Sequence, residues 1–362
     1  MKTIIFGLGR MGTTIAYAMH TLGYKVHCAD KMPNEYRLRG LVPNAEFTLL
    51  KTSKDIKDLI LKVKPDVVIS SLPYHQLWSV AKVCIDNNIR YCDLGGRVDV
   101  SEKINSYARD KATKPVFTDL GLAPGWINII AEHLISGLHK VDDIKMYVGG
   151  LPVLKNNPLN YLVTWSVDGL LNEYVDDCLI LKNGKLVTVL GMSGLQTVNT
   201  QLDELEAFYT SGGASHTLNR MKKRGVKNCS YRTFRYPGHI KMIEFLTRKC
   251  KLDDNTMKRI FEVGCTGDKS DPDLVILRSE VIYGDMTRVY EKVVHSTSSF
   301  SAMQRATAYS LSAVASLMGG GLLDNRNIEQ RKYKGELPMN LQYSDVPYSD
   351  FENILNGLLE AK

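Results

Sequence analysis

The stretch "IIFGLGRMGTTIAYAM" constrains the fold more than any other in the chain. It sets Gly7-x-Gly9-x-x-Gly12 between an apolar run of strand length and an apolar run of helical spacing, and the next strand-like run, "KVHCAD", ends on the acid Asp30. A strand that turns tightly into a helix and returns as a parallel strand is a βαβ unit, and the three glycines match its phosphate-binding form. Gly7 permits the turn, Gly9 lets backbone amides approach a diphosphate, and Gly12 allows close helix–sheet contact. With Leu8, Arg10 and Met11 they form the expected phosphate loop, with the positive end of a helix dipole behind it. Asp30 is placed to accept bonds from a ribose diol and to repel a 2′-phosphate, so NAD is expected over NADP. Lys31, Arg37 and Arg39 follow closely and pull the other way, which keeps NADP open.

The alternation continues to about residue 118. "DVVISSL", "IRYCDLG" and "PVFTDLG" read as further strands, with helices around Leu77 to Asn87 and between the last two strands. This predicts an α/β Rossmann domain with a doubly wound parallel sheet. Ligands in such sheets lie beyond the carboxyl ends of the strands. Ser70, Ser71, Leu72, Pro73, Asp93, Leu94, Asp119 and Gly121 are therefore expected to line the cofactor cleft. After about residue 140 the pattern changes to longer strands, with hairpin signals at Asn183-Gly184 and Gly284-Asp285. An inserted α+β domain with a mixed, largely antiparallel sheet follows. Helical spacing returns from Ser299, so the expected division is 1–120 with 299–362 for the Rossmann domain, and 121–298 for a substrate-binding and dimerisation domain.

Composition excludes several classes. No run of about 18 apolar residues is present, so no membrane span is expected. Seven scattered cysteines without a C-x-x-C pair read as buried thiols, not as a disulfide framework or a metal site, and with no secretory signal at the start the expected location is the cytoplasm. The net charge of +7 comes with one basic patch, Asn219 to Lys227, that lacks interleaved aromatics; it reads as a solvated face, and no nucleic-acid partner is expected.

The motifs "GLGRMG", "SSLPYH", "YCDLGG", "DLGLAPG", "VGGLP", "NYLVTWSVDGLLNEY", "LEAFYTSGG" and "TFRYPGH" occur in this order. By them the chain resembles the saccharopine dehydrogenase-like oxidoreductases, and within these most the lysine 6-dehydrogenase branch. The resemblance implies a Rossmann domain built from both chain ends, an inserted domain that binds a small-molecule substrate, and a homodimer. Reductases of the family usually carry an acid in the "GLAPG" turn and an arginine in the "FYTSGG" loop. This chain has Ala123 and Gly212-Gly213 there, which implies a smaller substrate, lysine in place of saccharopine. The implied reaction is oxidative deamination: hydride leaves the ε-carbon, the imine takes up water, ammonia departs, and the semialdehyde cyclises. Saccharopine reduction, a polyamine-pathway reductase and a dinucleotide-binding regulatory module are the alternatives.

Proton transfer near neutral pH suits histidine. His239 in "RYPGH" is the first candidate base, and His216 the second. His75 contacts the substrate, contacts the cofactor, or caps a helix. Thr233 and Arg235 match substrate-holding positions of the family, Arg235 as a carboxylate clamp; Arg235 and His239 could equally satisfy backbone groups at a turn. Asp93 binds the substrate ammonium, binds the nicotinamide ribose, or ties its own turn. Tyr161 and Trp165, at strand spacing about Val163, either wall the aliphatic chain of lysine or pack in the core.

Overall fold

The computed structural model describes residues 1–267, 271–324 and 339–361. Its first part runs β1 (Lys2–Phe6), α1 (Arg10–Thr21), β2 (Lys25–Asp30), β3 (Glu46–Leu49), α2 (Ser53–Val63), β4 (Val67–Ser70), α3 (Tyr74–Asp86), β5 (Tyr91–Asp93), α4 (Val98–Lys111) and β6 (Val116–Phe117). The six strands form one parallel sheet in the order β3-β2-β1-β4-β5-β6, whose direction of winding reverses between β1 and β4. The inner strands carry apolar side chains on both faces because helices cover both. Ile4, Phe6 and Val68 pack with Leu77, Val80, Ala81 and Ile104, and each such burial stabilises by about 1.5–3 kcal/mol.

Two local features differ from the sequence reading. That reading assigns nothing between Asp30 and Asp66, where the structure has β3 and α2. β3 is a part-exposed edge strand without an apolar run, and α2 starts from a capping box in which Thr52 N–H donates to Asp55 Oδ2 at 2.9 Å. Asp119 does not end the last strand. β6 stops at Phe117, and Asp119 lies in the turn with φ of 63°.

The chain continues with α5 (Trp126–Leu134), β7 (Asp143–Pro152), α6 (Val167–Val175), β8 (Cys178–Lys182), β9 (Lys185–Val189), β10 (Gln196–Asn199), β11 (Glu204–Tyr209), α7 (Thr217–Lys223), β12 (Asn228–Arg235), α8 (His239–Glu244), α9 (Asp254–Gly264), β13 (Asp273–Tyr283), β14 (Met286–His295), α10 (Ala302–Gly319) and α11 (Tyr348–Glu360). β7 to β14 build a mixed sheet in the order β10-β11-β12-β7-β13-β14, with β8 against β12 and β9. Within this sheet, among the described residues, only β7 and β12 pair in parallel. Both hairpins form where the spacing predicts them. Asn183 and Gly184 have φ of 51° and 73°, the left-handed pair that a two-residue type I′ turn needs.

The chain divides into two compact units, Met1–Ile129 with Ala306–Lys362, and Ile130–Arg305. The tail joins the first unit through the backbone: Val116 N–H donates to the Met339 carbonyl at 2.7 Å, and Leu341 N–H to the Val116 carbonyl at 2.9 Å. Among the described residues no helix is long and apolar enough to cross a membrane, and no cluster of His, Cys, Asp or Glu could hold a metal. The seven cysteines are free, and six of them are buried.

Candidate functional site

In the first unit the glycine turn links β1 to α1. Gly7 has φ of 93°, and a side chain there would press on the Ser71 carbonyl; one at Gly12 would collide with the Gly7 carbonyl. A side chain at Gly9 would meet nothing. The turn therefore needs two glycines for its own packing, while the third leaves open space at a helix start that no side chain caps. That arrangement fits a diphosphate. Leu8 is buried and its N–H donates to Asp30 Oδ2 at 2.6 Å, and Met32 N–H donates to Asp30 Oδ1 at 2.9 Å. Asp30 thus braces the turn from the end of β2. Arg10 and Lys31 are exposed, and Met11 is half-buried.

The residues expected along the strand ends split in two. Ser71, Leu72, Pro73 and Leu94 reach the surface, and His75 is exposed in the first turn of α3. Ser70, Asp93 and Asp119 do not line a cleft; their side chains are buried. Asp93 Oδ1 accepts from Gly95 N–H at 2.8 Å and from Asp119 N–H at 3.1 Å, so the turn-tying role is the one its contacts display. Asp119 Oδ1 accepts from the Ser101 hydroxyl at 2.7 Å, and the Asp119 carbonyl from the Tyr343 hydroxyl at 2.9 Å. Ser70 and Asp93 are register partners, and Ser70 Oγ, Tyr91 Oη and Asp93 Oδ2 approach one another without a well-aligned hydrogen bond. Burial, with Asp119 adding to it, pushes the Asp93 carboxyl up to about 7.

A stability prediction follows from that sign. The folded state keeps a proton on Asp93 that the unfolded chain releases near pH 4. This contribution is complete below about pH 4 and is lost as pH rises through about 7. The wild-type Tm should therefore fall more steeply between about pH 5 and 8 than that of Asp93→Asn. Melts across this range that run parallel would remove Asp93 as the cause.

The Gly121–Gly125 turn closes on itself. The Gly121 carbonyl accepts from Trp126 N–H at 2.9 Å and from the Ser310 hydroxyl at 3.0 Å, and the Ala123–Pro124 bond is cis. Ala123 stays part-exposed at the tip.

In the second unit Tyr231, Thr233 and Arg235 alternate along β12 and so share one face. Thr233 bonds Thr210 Oγ1 at 2.7 Å. Arg235 is 3% exposed; its Nε donates to Tyr174 Oη at 2.9 Å and its Nη1 to the Phe234 carbonyl at 2.8 Å. Its guanidinium carbon lies 4.7 Å from the Tyr161 ring centre and 5.7 Å from that of Tyr174, within cation–π range. Nη2 has no hydrogen-bond partner among the described residues. Tyr161 and Trp165 are not on a strand. They lie in an irregular segment where the Asn157 side chain holds the Tyr161 backbone, donating to its carbonyl at 2.8 Å, and where Trp165 covers Gly169 at the start of α6. Tyr161 is fully buried beside Arg235, and Trp165 is part-exposed.

His239 is not placed to act as a base. Its Nε2 stands 3.0 Å from Tyr174 Oη and its Nδ1 2.8 Å from the Leu159 carbonyl. Arginine can only donate and a carbonyl can only accept, so the protons are assigned: Arg235 Nε–H to Tyr174 Oη, Tyr174 O–H to His239 Nε2, and His239 Nδ1–H to Leu159. Burial, with the neighbouring Arg235 charge adding to it, lowers the imidazole to about 3. A neutral ring with its lone pair already engaged is a positioning group for Tyr174, and through it for Arg235. His216 is half-buried at the start of α7.

Sequence reasoning missed two members of this cluster, Tyr174 and Glu173, both in "DGLLNEYV" on α6. The part-exposed Glu173 carboxyl is pushed up to about 7 by desolvation, against the Arg235 charge, which lowers it. It also missed why Gly213 is glycine: a side chain there would collide with the Tyr231 ring.

Known proteins give the family. The family model described as the saccharopine dehydrogenase C-terminal domain matches residues 121–334. Mouse mitochondrial alpha-aminoadipic semialdehyde synthase is 28% identical over 198 residues, which cover 52% of this chain and 21% of that protein. Saccharopine dehydrogenase (NADP(+), L-glutamate-forming) of Schizosaccharomyces pombe is 27% identical over 178 residues, 48% of this chain and 39% of that protein. The chain thus spans about a fifth of the length of the mouse relative and about two fifths of the fission-yeast one. The apo structure of L-Glu-forming saccharopine dehydrogenase from Saccharomyces cerevisiae superposes with a TM-score of 0.75 over 99% of this chain and 97% of that one, at 15% identity, a likeness of fold. With the family model matching more than half of its length, the chain belongs to the saccharopine dehydrogenase family.

Proposed function

We propose that the protein is an oxidoreductase that uses a nicotinamide dinucleotide, NAD in preference to NADP, to oxidise a carbon–nitrogen bond of an amino acid. Within this reading the substrate is L-lysine, oxidised at its ε-carbon to the 6-semialdehyde with release of ammonia. Saccharopine, oxidised at its secondary amine, is the second reading, favoured by the names of the relatives. The observation that carries the proposal is Arg235, a buried guanidinium braced by Tyr174 and Tyr161, whose Nη2 no described residue engages. Such a fork recognises a carboxylate, and the surrounding rings suit an aliphatic chain.

The open space at Gly9 and the braced Asp30 support a dinucleotide, and the Asp30 charge favours an unphosphorylated ribose. The dinucleotide, when bound, supplies the hydride acceptor. The protein's part is placement: Arg235 orients the carboxylate, while Tyr161 and Tyr174 exclude water from the ion pair. The imine left by hydride loss takes up water and releases ammonia, and the semialdehyde closes on its own α-amine. Ala123 and Gly212-Gly213 favour lysine over saccharopine, and the Tyr231 ring against Gly213 leaves no room there for a longer side chain.

An initial-rate screen of lysine, ornithine, saccharopine and cadaverine with each dinucleotide tests this. Lysine with NAD should exceed every other pair by about tenfold or more in kcat/KM, a difference of about 1.4 kcal/mol. Saccharopine oxidised without lysine activity selects the second reading. Dinucleotide binding with no turnover of any amine would leave a binding module.

A further inference from the structure

The glycine turn and Asp30 lie at the carboxyl ends of β1 and β2, and a separate cavity opens at the amino ends of the same strands. Its volume of about 580 Å³ is that of a small-molecule pocket. Lys2 and Lys25, which begin β1 and β2, are register partners, and Glu46, which begins β3, is the partner of His27. Paired and alternate positions share a face, so these four belong to one side of the sheet, and all four line the cavity. Lys62 and Val63 join them from the last turn of α2, and Val42, Pro43 and Ala45 add an apolar wall from the segment before β3. His27 is 9% exposed, with Nε2 2.8 Å from Thr48 Oγ1 and Nδ1 3.0 Å from Glu46 Oε2. Burial lowers its imidazole, against the pull of the Glu46 charge, so at neutral pH the ring adds no cation.

The lining thus holds three lysines and one acid. Among the described residues none of the three lysines has an ion-pair partner. Glu46 is engaged with His27, and the Asp66 carboxylate, which accepts from the Lys2 backbone N–H at 2.7 Å, does not line the cavity. Lys62 answers the negative C-terminal end of α2, but Lys2 and Lys25 begin strands, whose net dipoles are small. Charges of one sign around a cleft with apolar walls concentrate the opposite ion there. An inorganic anion would meet the lysines and leave the apolar wall unused. We propose that this cavity binds a small organic anion, its carboxylate or phosphate group met by Lys2, Lys25 and Lys62 and its apolar body resting on Val42, Pro43, Ala45 and Val63. The site shares no residue with the glycine turn or the Arg235 cluster, and it does not depend on the reaction proposed above.

Calorimetric titration of the full chain tests the proposal with phenyl phosphate, benzoate, benzyl alcohol and inorganic phosphate. Saturating NADH keeps the phosphate probes out of the glycine turn. One of the two aromatic anions should bind at least about tenfold more tightly than either benzyl alcohol or inorganic phosphate, with a Kd that rises with salt. A preference for phenyl phosphate identifies a phosphate ester as the ligand class, and a preference for benzoate a carboxylate; either upholds the site. The double variant Lys25→Gln with Lys62→Gln should weaken that binding by roughly tenfold, and Lys25→Arg with Lys62→Arg should retain it. Both lysines are exposed, so these variants should keep the wild-type Tm and NADH affinity. Arg235→Met should bind the probe as the wild type does. Absence of saturable binding by either aromatic anion overturns the proposal, and so does equal affinity for benzyl alcohol or for inorganic phosphate. Binding that survives the glutamine pair, or that is lost in Arg235→Met, places the anion elsewhere and overturns it as well.

Discussion

Replacing Arg235 by methionine is expected to lower kcat/KM for the amino-acid substrate by roughly a hundredfold to a thousandfold. The guanidinium is almost wholly buried, and it is held at its Nε and Nη1 by Tyr174 and Phe234. Only the end of the fork remains for the substrate, already aimed before the substrate arrives. Charge-assisted bonds contribute about 1.5–3 kcal/mol each; losing two near the lower end, about 3–4 kcal/mol in all, gives the range stated. Methionine keeps a stem of similar length among Tyr161 and Tyr174, and Tyr174 keeps its bond to His239, so the fold should survive. Arg235→Lys keeps the charge but loses the planar fork, and should fall between methionine and wild type. NADH titration should be unchanged in both variants. An unaltered kcat/KM in Arg235→Met would remove the clamp. With the Arg235 charge gone, the Glu173 carboxyl should titrate higher still, since Arg235 is what lowers it.

The second large effect is expected at Gly12, and Gly9 is its control. An alanine methyl at Gly12 would overlap the Gly7 carbonyl, which belongs to backbone held by β1 and by the bond from Gly7 N–H to the Ala29 carbonyl. Neither side can yield cheaply. Overpacking of this kind costs about 1–3 kcal/mol, so Tm should fall by roughly 2–10 °C. The dinucleotide Kd should rise tenfold or more, because the loop amides move with the turn. At Gly9 the methyl meets no protein atom, and φ of −80° suits alanine. Gly9→Ala should therefore keep its Tm and lose only dinucleotide affinity, the methyl standing where a diphosphate must approach. Scanning calorimetry paired with NADH titration separates the two cases. Equal losses of Tm would end the distinction.

Much of the fold is legible because its signals are local. The strand "KVHCAD", the helix after Gly9 and the two-residue hairpins follow from side-chain spacing and left-handed turn residues within a few positions. β3 escaped the reading because an edge strand with part-exposed residues has no apolar run to show. Tyr161 and Trp165 misled because their strand-like alternation is overridden by the Asn157 turn, a tertiary-dependent clamp. Within the candidate site, Arg235 and Tyr161 were identified and Tyr174 and Glu173 were not. A tyrosine near the end of an amphipathic helix looks like part of a solvated face until Arg235 of β12 bonds its hydroxyl.

The sequence by itself determined the glycine turn and its acid, the parallel Rossmann architecture with an inserted mixed domain, and the family. The turn and the architecture depend on residue types at short spacing, and the family on the resemblance of motifs spread along the chain. The tertiary structure alone decided that His239 is neutral and engaged at both ring nitrogens, and that Asp93 and Asp119 are buried. Protonation and hydrogen-bond state follow from desolvation, and desolvation is supplied by side chains distant in sequence: Leu159, Tyr174, Arg235 and His239 meet only when the sheet and α6 pack.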